Sequence, residues 1–514
     1  MSTQAADAAG TARARRGREF RYESYRTDPA TGVLSCHYSV DGRSFAERVT
    51  FRPAAAAPAG PAGPAGQATP GRPAARWDSP AVAAAARLVF LLAGVSYYKT
   101  AAPPVVSTGQ NALTRREHHF LRQFYTGGLG EFAYRNGIDL SGLRIEGPEA
   151  GGGPGRLPAP QAPAPQAPAP QAPVPRAPVP QAPVPQAPVP QPPARGRARA
   201  LVPFGGGIDS IVTVELVRRH ADVALFVVSR PGDRFDAIER PAAVAGLPVV
   251  RAEREIDPQL LRSRELGFLN GHVPVTGIIS AIAVMAAALE GRDTVIMSNE
   301  WSASVPTVQA GELAVNHQYS KSAAFEAAFR NVLAEASARL PGTAPLPDYF
   351  SALRPRTELW IAERFARLRP YHGTFRSCNR AFHIDRAKRL DHWCGQCDKC
   401  CFIDLILAPF LPAAELGAIF GGREPLADPS LAGRFRALLG DSDLSKPFEC
   451  VGEVNECRAA LLLAAQRGDR AGFPLLHELA AEVRALPGQP SADGLLRPVG
   501  EHFIPAPYAE ELLA

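Results

Sequence analysis

Phe204-Gly205-Gly206-Gly207-Ile208-Asp209-Ser210 stands between two patterned stretches. Before it, Ala200 to Phe204 is a short apolar segment of the kind that forms a buried strand. After it, Ile211, Val212, Val214, Leu216 and Val217 recur at helical spacing. The stretch is therefore a strand-to-helix turn with three glycines in it. Without Cβ atoms the turn lets backbone N–H groups approach a bound anion, and the helix N-terminus behind it adds a favourable dipole. Asp209 and Ser210 fall in the first helical turn, where a carboxylate can hold Mg²⁺ and a hydroxyl can donate to phosphate. The simpler reading is a tight turn with an Asp cap.

Working outward, strands are expected at 200–204, 222–228, 247–252 and 293–298. Helices are expected between them at 209–220, 234–246 and 275–290. This alternation predicts an α/β fold with a doubly wound parallel sheet. Ligands of such sheets lie at the carboxyl ends of the strands. Both the glycine turn and Ser298-Asn299-Glu300 lie there, the latter ending a strand expected beside the former. Asn299 is a candidate ATP contact. Glu300 could hold Mg²⁺ or move a proton, or the segment could simply cap a helix.

The order of residues in the turn excludes two common phosphate loops. No Gly-Lys-Ser/Thr follows, and the spacing is not GxGxxG. The turn resembles the Ser-Gly-Gly-x-Asp-Ser pyrophosphate loop of the ATP pyrophosphatase superfamily, whose fold is adenine nucleotide alpha hydrolase-like. Those enzymes cleave ATP to AMP and diphosphate while adenylating an oxygen. Gly205 replaces the first Ser of that pattern, so one side-chain contact to phosphate is missing.

The chain has 514 residues, enough for two or three domains. Residues 1–17 read as a tail without an apolar core, unlike a signal peptide. Residues 18–147 read as a smaller α+β unit. It opens with a three-stranded meander over 19–51 and contains a loose Ala/Pro/Gly segment at 53–75. Helical patterns follow at 78–95 and 111–124, then a glycine-rich stretch, Tyr125 to Gly137, that reads as a functional loop. Residues 148–198 form a linker whose Ala-Pro-Ala/Val-Pro-Gln repeat from Pro158 favours polyproline II and cannot build a core. The nucleotide-binding α/β unit spans 199–345, and a mostly helical Cys-rich region spans 346–514.

Net charge is +6, with no basic face interleaved with aromatics, so nucleic acid is not expected as a partner. The apolar runs Ala81 to Val95 and Val275 to Leu289 read as buried helices too short for membrane insertion, and a cytoplasmic protein is expected. Eight Cys in such a chain argue for metal rather than disulfides. Five Lys stand against 51 Arg (56 basic residues in all), so a lysine that persists is a candidate for a role Arg cannot fill.

Cys378 with Cys394-Gly395-Gln396-Cys397-Asp398-Lys399-Cys400 offers four thiolates in two CxxC steps. That set suits a closed, structural zinc site with Cys401 as a neighbour; an iron–sulfur cluster is the other option. Asn316-His317-Gln318-Tyr319-Ser320-Lys321-Ser322 holds more polar groups than capping needs. His317 is a candidate acid/base group and Lys321 a phosphate ligand or proton carrier. Cys450 is an outside candidate, since a thiol can serve as base toward an acidified C–H.

Taken together, Leu91–Pro103, Tyr125–Gly137, the glycine turn, Ser298–Glu300 with Asn316–Ser322, Trp393–Cys400, Lys446–Glu453 and Arg497–Pro507 resemble the MurL family of UDP-N-acetyl-α-D-muramoyl-L-alanyl-L-glutamate epimerases. These stretches span most of the chain apart from the Pro-rich segments. The resemblance implies inversion of the terminal L-Glu of UDP-MurNAc-L-Ala-L-Glu, with ATP and Mg²⁺ consumed to AMP and diphosphate. It implies phosphate binding by Gly205, Gly206, Gly207 and Ser210, and Mg²⁺ positioning by Asp209. A ligase making UDP-MurNAc-L-Ala-L-Glu is the implied functional neighbour. His317, Lys321, Tyr319 and Glu300 are the candidate proton carriers. The alternatives are a 7-cyano-7-deazaguanine synthase-like ligase, which shares the loop and a similar Cys site, and a non-catalytic nucleotide-binding scaffold.

Overall fold

The computed structural model describes residues 16–55, 76–150, 197–310, 313–340, 342, 344–441, 447–488 and 490–513. The pentapeptide repeat, and most of the expected tail and loose segment, lie outside the described residues. Arg16 and Gly17, at the end of that tail, are tied down, donating to the carbonyls of Ala102 and Ala101.

Ten of twelve described strands form one mixed sheet. They are β1 (Glu19–Asp28), β2 (Val33–Val40), β3 (Arg43–Ala55), β4 (Val105–Ser107), β5 (Arg144–Glu146), β6 (Arg199–Pro203), β7 (Asp222–Ser229), β8 (Val249–Glu255), β9 (Thr294–Met297) and, after the hairpin β10 (Val308–Ala310) and β11 (Leu313–Val315), β12 (Asp348–Ser351). The order is β12-β9-β6-β7-β8-β3-β2-β1-β4-β5. The run β12-β9-β6-β7-β8 is parallel, as the alternation of strand and helix predicts. The meander β1-β2-β3 joins it antiparallel through β3 and β8. The two units expected at 18–147 and 199–345 thus share one sheet. A buried ion pair spans the joint, with Arg254 Nε and Nη2 at 2.8 and 3.0 Å from the two Glu47 carboxylate oxygens. The Tyr97 hydroxyl donates to Glu47 Oε2 at 2.9 Å, completing its partners.

Period-two alternation divides β6 between two cores. Ala200 and Val202 face the cluster built with the C-terminal helices, while Leu201 faces the cluster containing the N-terminal helices. Burial on both faces explains the continuous apolar runs of the central strands. α1 (Pro80–Ala93) and α2 (Val95–Tyr98) precede α3 (Arg115–Gly128) and α4 (Gly130–Asn136). The helices of the parallel unit are α5 (Ile208–Val217), α6 (Asp236–Ala245) and α7 (Val275–Glu290). Beyond them come α8 (Ala323–Ala338), α9 (Glu358–Ala366) and α10 (Asp398–Leu407). The rest of the C-terminal region is helical, as expected.

Two expectations change. The helical run Pro80–Tyr98, 19 residues at mean hydropathy 1.6, is long and apolar enough to cross a membrane, not too short. Within the fold, 83% of that window is buried and α1 packs on α7, so its apolarity is that of a core helix. Tyr125–Gly137 is also not a loop. It completes α3 and forms α4, and its glycines serve packing: a Cβ on Gly127 would lie 2.5 Å from the Tyr319 ring, and one on Gly128 2.6 Å from Pro274.

Candidate active site

The carboxyl end of β6 leads through Phe204–Gly207 into α5, which starts at Ile208. Gly206 has φ +75°, and a Cβ there would sit 2.2 Å from the Ala237 carbonyl oxygen. Only glycine fits this position without moving α6. Gly205 differs: a Cβ there meets nothing within 4 Å, so the missing Ser is not a matter of space. Ser210 Oγ donates to the Gly207 carbonyl at 3.0 Å, and Asp209 Oδ1 is buried with no partner. Gly205, Gly207, Asp209 and Ser210 open on a cavity of about 460 Å³ whose other walls include Asn299, Lys321, Lys399 and Cys450.

β9 pairs with β6, which brings Ser298–Glu300 beside the loop. Asn299 Nδ2 donates to Ser351 Oγ at 3.1 Å. Glu300 lies within 4.8 Å of Asp209 and of Glu358, measured between ligating oxygens. Glu358 begins α9 behind the Thr357 cap. Each of the three carboxylates keeps one buried oxygen without a partner. Burial, and then the neighbouring Glu300, pushes Asp209 up to about 6, and burial with the same neighbours pushes Glu358 well up. Three crowded, underpartnered carboxylates suit a hard divalent cation with oxygen ligands.

Lys321 is placed by a buried tie. Arg354 pairs with Glu326 of α8 at 2.9 Å, both fully buried, and donates to the carbonyls of Glu300 (2.8 Å) and Lys321. Burial would lower the Lys321 ammonium, but Cys450, Glu300 and Asp209 raise it, so it stays charged.

Beyond Cys450 the chain folds a polar series. Cys450 neighbours His317, and His317 Nδ1 meets Glu131 Oε2. Arg135 holds the other Glu131 oxygen at 2.6 Å. His272 stacks obliquely on His317, ring centres 4.3 Å apart. Burial alone would depress His317, but Cys450 and Glu131 lift it to about 9. Burial alone would raise the Cys450 thiol, but Lys321 and then His317 bring it down to about 7.

The Sγ atoms of Cys378, Cys394, Cys397 and Cys400 all lie within 4.8 Å of one another, with measured separations of 3.4, 3.6 and 4.0 Å. Tetrahedral zinc at about 2.3 Å from each sulfur sets its ligands about 3.8 Å apart, so the set fits. Cys400 lies in the first turn of α10, and the same turn carries Lys399, whose Nζ donates to the Cys450 carbonyl.

Of the residues singled out from sequence, Gly205, Gly207, Asp209, Ser210, Asn299 and Lys321 line one cavity, with Gly206 and Glu300 directly behind. His317 reaches it through Cys450. Tyr319 does not line it; its ring lies against Gly127, and burial pushes its hydroxyl up to about 12. Glu358, Glu131, His272 and Lys399 were not singled out. Glu131 sat inside the flagged Tyr125–Gly137 stretch, and Lys399 had only its rarity as a signal. Glu358 and His272 had none.

The MurL N-terminal domain family matches residues 11–351, and the MurL C-terminal domain family matches residues 374–493. A curated protein of Xanthomonas oryzae pv. oryzae, named UDP-N-acetyl-alpha-D-muramoyl-L-alanyl-L-glutamate epimerase, is 36% identical over 505 residues, covering 96% of this chain and 97% of its own. Proteins of the same name from Salinispora tropica and Micromonospora sp. are 35% and 36% identical, each over 97% of this chain and over 96% and 98% of their own. No solved structure matches.

Proposed function

The chain belongs to the MurL family, and from that premise we propose that it epimerises the terminal L-Glu of UDP-MurNAc-L-Ala-L-Glu to D-Glu at the expense of ATP. The observation that carries the ATP-dependent reading is the meeting, in one cavity, of the glycine loop with Asp209, Lys321 and Cys450, the buried Glu300 and Glu358 standing within 4.8 Å of Asp209.

The chemistry needs both parts. The Cα–H of a free glutamate carboxylate is hard to ionise, because the product carries two adjacent negative charges. In the proposed reaction the α-carboxylate attacks the α-phosphorus of ATP, the O–P bond forms and diphosphate leaves. The acyl-adenylate acidifies Cα–H, the proton is removed, and a proton returns to the opposite face. Water then releases AMP and the D-Glu product. Backbone N–H groups at Gly205–Gly207, the α5 N-terminus and Ser210 would hold the phosphates. Mg²⁺ on Asp209, Glu300 and Glu358 would neutralise phosphate charge in the transition state. Asn299 would position the nucleotide. Zinc on the four thiolates would supply folding energy and hold α10, not chemistry. The class of enzyme feeding this reaction is a ligase that adds L-Glu to UDP-MurNAc-L-Ala.

The test is product analysis in D₂O with UDP-MurNAc-L-Ala-L-Glu, ATP and Mg²⁺. AMP together with Cα-deuterated D-Glu is the expected result. D-Glu formed without AMP would overturn the ATP-dependent reading, and AMP formed without D-Glu would overturn the epimerase reading.

A further inference from the structure

Among the described residues, the thiols outside the four-Cys cluster sit in contrasting surroundings. Cys36 and Cys401 are buried, and burial holds both as neutral thiols. Cys450 is half-buried and lines the cavity above the glycine loop. It stands beside His317, which is bonded to Glu131, which is fixed by Arg135. Of these four residues only Cys450 lines the cavity. Phe448 closes the back of the series: its ring is 6.3 Å from that of His317, and the Arg135 guanidinium lies 4.7 Å over it. Lys321 and Lys399 line the same cavity, Lys399 gripping the Cys450 carbonyl. The unpartnered Asp209 Oδ1 borders this space as well. A thiol in this position, backed by an imidazole that is itself backed by a carboxylate, has the arrangement of an activated sulfur.

We propose that Cys450, as the thiolate, removes the Cα proton of the activated glutamate, with His317 and Glu131 as its positioning residues, and that Lys321 returns the proton to the opposite face. The proposal rests on the epimerase reading above and assigns its proton carriers. In the first step the Cα–H bond breaks, an S–H bond forms, and the C–H electron pair moves into the acyl-adenylate carbonyl as an enolate. In the second, an Nζ–H bond of Lys321 breaks and a Cα–H bond forms on the other face. Transfer of the proton from Sγ back to Nζ, through water, restores both groups.

Burial would raise this thiol; Lys321, His317 and Lys399 outweigh it and bring it to about 7. On the far side, Glu131 and Cys450 raise His317, with Arg135, Glu449 and the neutral His272 also near this pair. The pair is thus held as thiolate and imidazolium near neutral pH.

The experiment measures Cα deuterium incorporated per AMP formed, in D₂O, for wild type, Cys450→Ala and the near-isosteric Cys450→Ser. Loss of a general base typically costs about 10²–10⁴-fold. The ratio is expected to fall at least ~100-fold in both variants. A ratio within about threefold of wild type, well short of the loss of a base, would overturn the proposal. So would the absence of AMP from both variants, which would put the thiol at the nucleotide step. A wild type that makes no AMP would instead fail the parent reading. His317→Gln tests the positioning role. The alkaline rise of deuterium exchange should move from about pH 7 toward the ordinary thiol value of 9.0, and a limb that stays in place would remove His317 from the assignment.

Discussion

At one end of the cavity, seven consecutive residues, Phe204 to Ser210, supply the loop, the helix start and the first carboxylate. At the other end, Cys450, His317, Glu131 and Lys399 arrive from four separate segments, with His317 and Glu131 alone 186 positions apart. The first end is fixed by local sterics: Gly206 must be glycine because its φ is positive and α6 presses on it. The second exists only when the sheet, α3–α4, α8 and α10 are all in place. A reaction that first activates a carboxylate and then moves a proton needs both, and they are joined through Arg354, which grips the backbone of Glu300 on one side and Lys321 on the other.

That comparison is broken hardest at the joint. Arg354→Ala leaves Glu326 buried and unpaired, which costs about 3–5 kcal/mol. Thermal unfolding should shift strongly downward, and the variant should lose AMP formation and Cα exchange together. A melting curve matching wild type would mean that the two ends are held independently.

Asp209→Asn acts first at the loop end. Removing one preorganised electrostatic group typically costs about 10²–10³-fold. AMP formation in rapid-quench assays should drop by that order, and Cα deuterium should drop in parallel, in contrast to the Cys450 variants. Exchange that survives the loss of AMP would show that the proton end works on an unactivated substrate.

The pH profile of Cα exchange sharpens the comparison further. Exchange requires the Cys450 thiolate, so it rises as pH increases through about 7. It requires the His317 imidazolium, so it falls as pH increases through about 9. Each unit beyond either limb should cost about tenfold, and the two limbs belong to the coupled pair. A rate that still climbs above pH 10 would contradict a charged His317.

The smallest effect is expected at Gly205→Ser. The site has room for the side chain, so stability should stay within about 0.5 kcal/mol. The hydroxyl can restore one phosphate hydrogen bond, tightening ATP by about 1 kcal/mol in calorimetric titration. Weaker ATP binding would mean that the phosphates do not pass this side of the loop.

Legibility in the sequence follows the same division. The parallel strands and their helices were readable because buried strands and amphipathic helices carry their own periodicity, and the observed boundaries depart from expectation by only a few residues. The four-Cys set was readable because two CxxC steps place three ligands within one turn and loop. The antiparallel junction of β3 with β8 was not, since the pattern of a strand does not announce a partner some 200 residues away. Tyr125–Gly137 was misread as a loop because glycines that allow helices close approach resemble glycines that break them. Glu358 carried no signal: an acidic residue in a first helical turn is ordinary until two other carboxylates are brought within 4.8 Å of it.

By itself, then, the sequence determined the glycine loop, the alternating α/β order, the thiol cluster and the family to which the chain belongs, because each is written in short-range spacing or in similarity along the whole chain. Only the tertiary structure decided that Cys450 rather than His317 lines the cavity, that Tyr319 packs away from it, that Glu131 backs His317, and that Glu358 joins Asp209 and Glu300. Those facts depend on which distant segments pack together, and on the charge and burial that packing imposes. Neither is encoded by the identity of a residue's neighbours in the chain.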